Sequence, residues 1–214
     1  MVQILILLVL GYLLGSINLS VLVTKYIGKT DIRAHGSGNA GGTNVVRVMG
    51  AKWGISVMAL EILKGVILGF VARYAWPVDP LALGELGPQI TGAIAVIGVM
   101  FGNMYPCFHG FKGGKGVTTC GALAIVVDWR VFVVLFALFL TIFFITKIVS
   151  ISSIIASICV PIAVGLLSFH KEYWWVLCAV CAVNSLMLII RHTENIKRLI
   201  NGTENKFNLG KKKN

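Results

Sequence analysis

The chain has 214 residues, of which 57% are hydrophobic and only 13% charged, with a formal net charge of +11. Its mean hydropathy is +0.88. These values exclude a water-soluble globular enzyme and leave almost no length for a soluble domain, so we read residues 1–214 as a single transmembrane domain with a short basic tail over about 192–214.

A spanning helix needs about 20 mostly apolar residues. In chain order the apolar runs predict spans at about 3–24, 53–75, 88–108, 116–128, 131–148, 151–168 and 173–190. The expected fold is therefore all-α: an integral membrane bundle of seven transmembrane helices. The first run lacks a basic leading segment and a small-residue cleavage site, so it reads as a retained helix. The fourth is short. An irregular start to it at membrane depth has to face protein or a wet cavity, because lipid cannot satisfy free backbone amides.

Lysine and arginine set the orientation. Lys25, Lys29, Arg33, Arg47, Lys52, Lys112, Lys115, Lys147 and Arg191 fall on one side, joined by Lys197, Arg198, Lys206 and Lys211 to Lys213. Arg130 and Lys171 fall on the other, with Arg73 near the boundary, against Asp79, Glu85, Asp128 and Glu172. The expectation is an outer N-terminus and a cytoplasmic C-terminus. The positive charge reads as this asymmetry plus attraction to anionic lipid, not nucleic-acid binding. Five cysteines lie in or beside apolar spans, including the pair Cys178 and Cys181, and read as small packing residues, not a disulfide framework.

Between the spans lie two glycine-rich basic segments on the expected cytoplasmic side. The first is GSGNAGGTNVVR, Gly36 to Arg47. Its glycines, among them Gly38, let backbone approach a ligand; Ser37, Asn39, Thr43 and Asn44 offer hydrogen bonds; Arg47 offers a planar fork suited to phosphate. A helix beginning near Thr43 presents free amides to an anion. The bland alternative is a flexible connector with a topology-setting arginine. The second is FKGGKGVTT, Phe111 to Thr119, where Gly113, Gly114 and Gly116 flank Lys115. Consecutive glycines form an anion-binding nest, although a plain turn has the same composition. Gly116 stands where a nucleotide-binding P-loop needs a hydroxyl, which disfavours ATP hydrolysis.

A third polar stretch, Arg191 to Glu204, opens the tail at the same face. His192, Asn195 and Arg198 share one helical side, and Asn184 lies two turns before His192 in the last span. Glu61 and Lys64 sit inside the second span at helical spacing; they read as an ion pair facing the bundle or as a contribution to the site from below. Ser16, Asn18 and Asn103 read as interhelical hydrogen-bonding residues. No histidine has an aspartate five positions later, and there is no HExxH pattern and no nucleophilic serine elbow.

Through these three segments the chain resembles the bacterial acyl-phosphate:glycerol-3-phosphate acyltransferases, small integral membrane enzymes of phospholipid synthesis. Ser37, Asn39, Thr43, Asn44 and Arg47 match that family's first motif. Gly113, Gly114, Lys115, Gly116 and Thr119 match the second, and His192, Asn195, Arg198, Gly202 and Glu204 the third. Gly42 and Thr118 stand where the family usually has alanine, and Asn103 where relatives often carry histidine. His109, at a commonly apolar position, is given no role. The resemblance implies transfer of a fatty acyl group from acyl phosphate to the 1-position of glycerol 3-phosphate, releasing lysophosphatidic acid and phosphate. It also implies a bacterial cytoplasmic membrane location with the site at the cytoplasmic face, membrane lipid as surroundings, and no metal or other cofactor. On this reading Ser37, Asn39, Arg47, Lys115, His192 and Asn195 are the catalytic set. Gly38, Thr43, Asn44, Gly113, Gly114, Gly116, Thr119 and Asn184 are expected to bind substrate or phosphate. The alternative from the residues alone is a transporter or channel for a phosphate-containing solute.

Overall fold

In a computed structural model the described residues are 2–75 and 83–207, so Asp79 and the terminal lysine run lie outside them. The fold is all-helical, with ten α-helices among the described residues. Helices α1 (Val2–Ser16) and α2 (Leu19–Tyr26) form one broken span. The break falls at Asn18, whose side chain accepts from the Val21 amide at 3.1 Å and so caps α2.

The amphipathic α3 (Gly42–Met49) turns sharply into α4 (Ala51–Phe70), and α5 (Gly87–Met104) follows. Of the apolar window of α5, 72% is buried, against 11% for α7 (Trp129–Thr146). The first is therefore the axis of the bundle and the second lies against lipid. Helix α1 crosses α5 with glycine against glycine. A Cβ added at Gly15 would fall 2.1 Å from the Val99 carbonyl oxygen, and one at Gly102 would fall 2.1 Å from that of Tyr12. Only small residues permit this approach of two backbones in lipid, where packing rather than water drives helix association.

Among the described residues, six helical segments are long and apolar enough to cross a membrane: Val2–Tyr26, Ala51–Ala75, Gly84–His109, Trp129–Thr146, Val149–Ser168 and Trp174–Arg191. The predicted fourth span, 116–128, is the eleven-residue helix α6 (Val117–Val127). At the helical rise it measures about 16 Å, roughly half the hydrocarbon thickness. Arg73 reaches its far end and donates to the carbonyls of Val126 and Val127, satisfying groups that the helix leaves free.

Helix α8 (Val149–Ser168) contains Pro161, which cannot donate to the Ser157 carbonyl. The Ser185 hydroxyl of α9 (Trp174–Arg191) donates there instead, at 2.6 Å. Helix α10 (Thr193–Ile200) then leads through a turn into an irregular stretch, described as far as Phe207. The five cysteines are free thiols.

Candidate active site

Two helix N-termini converge on one cleft of about 130 Å³. Gly41, Gly42 and Thr43 line it at the start of α3, and Gly116, Val117 and Thr118 line it at the start of α6. Free amides and the positive ends of two helix dipoles thus face the same space, an arrangement suited to two anionic groups. Ser37, Asn39, Asn44, Arg47, Gly114, Lys115 and His192 also line the cleft, so residues from all three polar sequence segments meet there.

The first segment is folded by Asn44. Its amide donates to the carbonyls of Ile32, His35 and Asn39 at 2.9–3.1 Å, and its oxygen accepts from the Ser37 amide at 2.9 Å. The loop therefore uses every hydrogen of the Asn44 amide and leaves none for a ligand; the side chain organises the loop around the cleft. Gly36 takes a left-handed φ of +61°, and a Cβ there would fall 2.2 Å from the Asn44 oxygen. Arg47 is different. None of the described residues accepts a hydrogen bond from its guanidinium, which lies 5.8 Å from the Phe207 ring. Burial holds its pKa below the usual arginine value, against the attraction of Glu204. Among the described residues nothing competes for its five donors, which suits them to an anion.

Lys115 donates to the Asn195 side-chain oxygen. Asn195 in turn donates to Glu204 at 2.7 Å, and Glu204 also accepts from Ser150 at 2.9 Å and from Arg198 at 2.7 Å. Burial pushes the Lys115 ammonium down to about 8, helped by Arg198, Arg191 and Arg47 and opposed by Glu204. Burial acts to raise the Glu204 carboxyl, but the three hydrogen bonds outweigh it and hold it below its usual value. So a relay runs from the tail through Asn195 to the ammonium that faces the cleft.

His192 caps α9, is 2% exposed, and lies with its Nδ1 2.8 Å from the Leu188 carbonyl. A carbonyl only accepts, so Nδ1 carries the hydrogen and Nε2 keeps its lone pair. Burial drives its pKa down to about 4, with Lys115 and Arg191 adding to the shift. The imidazole is neutral at physiological pH: a good hydrogen-bond acceptor and a weak base.

Not every predicted residue reaches the cleft. Gly38, Gly113, Thr119, Asn184 and Asn195 are absent from its lining. Thr119 and Asn184 are fully buried, and their side-chain polar atoms have no hydrogen-bond partner among the described residues. Conversely, Glu61 and Asn103 line the cleft from beneath. Glu61 and Lys64 are the ion pair that their spacing suggested, at 2.7 Å, and Glu61 reaches the site as well.

The cleft opens into an almost wholly apolar groove of about 580 Å³, sharing Thr43, Met58, Thr118, Phe139 and Ser153 with it. Phe132, Phe136, Phe139 and Phe143 of α7 form one wall, their neighbouring rings within 10° of parallel. This groove was not expected from any motif. Its signal in the sequence is the four-three-four spacing of those phenylalanines on a single helical side.

Residues 5–202 match the family described as glycerol-3-phosphate acyltransferase. Similar proteins include the glycerol-3-phosphate acyltransferase of Staphylococcus saprophyticus, 39% identical over 208 residues covering 96% of this chain and 98% of that protein. That of Exiguobacterium sibiricum is 39% identical over 209 residues, covering 98% and 96%. Among solved structures, PlsY, an integral membrane glycerol 3-phosphate acyltransferase, superposes in its glycerol 3-phosphate form with a TM-score of 0.84 and 34% identity over 96% of each chain. Its lysophosphatidic acid form gives 0.81 and 33% over the same shares. The chain belongs to the glycerol-3-phosphate acyltransferase family.

Proposed function

We propose, from this membership and the site geometry, that the protein acylates glycerol 3-phosphate at its 1-hydroxyl with acyl phosphate as donor. Acyl transfer to glycerol 3-phosphate is the family's activity and the activity of this chain. The donor rests on one observation: a single cleft with two helix N-termini and two cationic side chains, opening into an apolar groove. Both substrates carry phosphate, and one of them also carries a fatty chain. Two anion sites beside one lipid-accessible groove match that pair.

The chemistry follows from the donor. An acyl phosphate is a mixed anhydride with phosphate as leaving group, so alignment and charge stabilisation suffice without a protein nucleophile. The glycerol 1-hydroxyl oxygen attacks the acyl carbonyl carbon, the carbonyl–phosphate bond breaks, and phosphate leaves. Arg47, Lys115 and the amides of Gly42 and Thr43 stabilise the phosphate charges, while His192 Nε2 accepts from a substrate hydroxyl and orients it. A neutral imidazole with a pKa of about 4 is a poor base. The proton therefore passes to a phosphate oxygen, whose second pKa is about 6. Ser37 and Asn39 complete the polar wall, and Asn195 holds Lys115 in place.

The single domain spans residues 1–214 and crosses the membrane seven times, with an outer N-terminus and a cytoplasmic site. Two features support the seventh crossing. Helix α7 is about 27 Å long at the helical rise, and it returns to the residues of α8 that line the cleft. Helix α6 starts at that cleft and ends where α7 begins, so it makes the reverse journey in about 16 Å. Its glycine start therefore lies roughly 10 Å below the membrane face, facing a polar cleft as irregular backbone at that depth must.

The test is direct. Purified protein is given glycerol 3-phosphate with either acyl phosphate or acyl-CoA, and lysophosphatidic acid and phosphate are scored. Turnover with acyl phosphate alone is expected. Equal rates with acyl-CoA would overturn the donor assignment.

A further inference from the structure

Beneath the cleft lies a polar knot that none of the three sequence motifs includes. Glu61, 3% exposed, uses both carboxylate oxygens. One accepts from the Leu19 amide at 2.8 Å; the other meets Lys64 Nζ at 2.7 Å and accepts from Asn103 Nδ2 at 3.0 Å. Lys64 donates to the carbonyls of Gly15 at 3.3 Å and Ile17 at 2.8 Å. The acid thus sits at the N-terminus of α2 and the base at the C-terminus of α1, each matched to the dipole end it meets.

Both glycine segments hang from this knot. Asn18, in the break that the ion pair bridges, donates to the Ala40 carbonyl of the first segment at 3.3 Å. In the second segment the Gly113 and Gly114 amides donate to the carbonyls of Met104 and Asn103 at 3.2 and 3.0 Å. Gly114 also packs directly over the Asn103 side chain, since a Cβ there would fall 2.9 Å from its oxygen and 3.1 Å from the Ala40 carbonyl oxygen. So the two segments touch at Ala40 and Gly114, directly above Asn103. Arg191 holds the second segment from the opposite side through the Gly114 carbonyl, at 3.2 Å. A charge pair buried in a spanning helix is costly, and bridging a broken span alone does not require Asn103.

We propose that Glu61, Lys64 and Asn103 are positioning residues which fix the register between the two phosphate-holding segments, with Asn103 as the link to the Lys115 segment. This rests on the reading of the cleft as the acyl-transfer site. Each segment binds its phosphate alone, but attack needs hydroxyl and carbonyl aligned to a fraction of an ångström. Loss of register therefore lowers kcat more than it raises KM for either substrate.

The experiment substitutes Asn103→Ala, which leaves the Glu61–Lys64 pair and the Leu19 contact intact. Kinetics are normalised to folded protein by size exclusion and thermal midpoint, and measured in the wild-type and Lys115→Arg backgrounds. The expected result is a loss of kcat of about tenfold or more with KM for glycerol 3-phosphate within about threefold. In the Lys115→Arg background the same substitution costs less than about threefold further, because both changes act through one segment. A kcat per folded molecule within about twofold of wild type, or an equal cost in both backgrounds, overturns the proposal. Should Asn103→Ala not accumulate folded, Asn103→Gln keeps the amide, displaces it by one methylene, and is judged by the same two criteria. Wild-type protein that does not acylate glycerol 3-phosphate at all would instead sink the reading of the cleft.

Discussion

At the scale of single residues, the cleft separates groups that hold charge from groups that shape it. Arg47 and Lys115 hold charge. Replacing either by alanine is expected to cost at least about 2 kcal/mol in kcat/KM, the scale for losing a buried charged partner. Arg47→Lys is expected to recover little, because an ammonium cannot reproduce the planar fork. Near-normal kinetics in the alanine variants would reduce both to topology charges. Lys115 adds a pH signature. In the proposed site its ammonium, not its amine, is the form that holds phosphate, and burial brings its pKa down to about 8. So kcat/KM is expected to fall as pH rises through 8, and Lys115→Arg, which stays charged, is expected to remove that limb while lowering the plateau. His192 makes the opposite case. With a pKa near 4 it is already neutral above pH 5, so an ascending limb near pH 6 belongs to substrate phosphate. His192→Gln still offers an acceptor oxygen and is expected to keep that limb and activity within about tenfold. A loss of 10²–10⁴-fold with disappearance of the limb, in folded protein that still binds glycerol 3-phosphate, is the signature of a general base and would refute substrate-assisted transfer.

At the scale of elements, the α1–α5 crossing supports the end of the bundle that carries the cleft, because Asn103 and the carbonyls that anchor Gly113 and Gly114 lie at the end of α5. Gly102→Ala places a methyl against backbone, which no side-chain rotation relieves. Separating the two helices is expected to cost about 1–3 kcal/mol, the usual range for overpacking, seen as a lower thermal midpoint in detergent. Gly202→Ala is the comparison for added volume without a clash, since nothing lies within 4 Å of a Cβ there, although its φ of +66° makes the substitution strained in its own right. An unchanged midpoint for Gly102→Ala would mean that the crossing is looser than the structure shows. Such elements were largely legible in the sequence, for a physical reason: a lipid-facing helix must be apolar over a fixed length, so spans announce themselves. Where one is shorter than that length, as α6 is, composition places its centre and not its ends. The two glycine-rich loops that line the cleft were legible because glycine, lysine and arginine occur together in few other settings. The division of labour within them was not. Asn44 and Asn39 are the same residue type five positions apart, and only the carbonyls of Ile32 and His35, brought near by the fold, make Asn44 a loop organiser. The contact between Glu61 and Asn103 spans 42 residues and has no local signal at all.

At the scale of the whole molecule, the chain closes on itself at one face. The stretch after α10 returns to the start of α8, where Glu204 accepts from Ser150 and the Phe207 amide donates to the Lys147 carbonyl at 2.7 Å. The Phe207 ring then sits between Arg47 of α3 and Phe143 of α7 and lines the mouth of the apolar groove. The tail thereby joins the first glycine segment, the second through Asn195 and Lys115, and the apolar groove. Glu204 is the point where these connections meet, with three hydrogen bonds, two from α10 and one from α8. Glu204→Gln preserves shape and one acceptor oxygen but removes the charge opposite Arg198 and alters the partner of Asn195. The Lys115 ammonium then loses both its oriented acceptor and its nearest compensating charge, since Glu204 is the group that raises its pKa. The descending limb of kcat/KM is therefore expected to move from near pH 8 to lower pH, with a smaller kcat and helix content unchanged by circular dichroism. A limb that stays in place would show that Lys115 does not sense the tail, and that the tail serves only to pack the bundle.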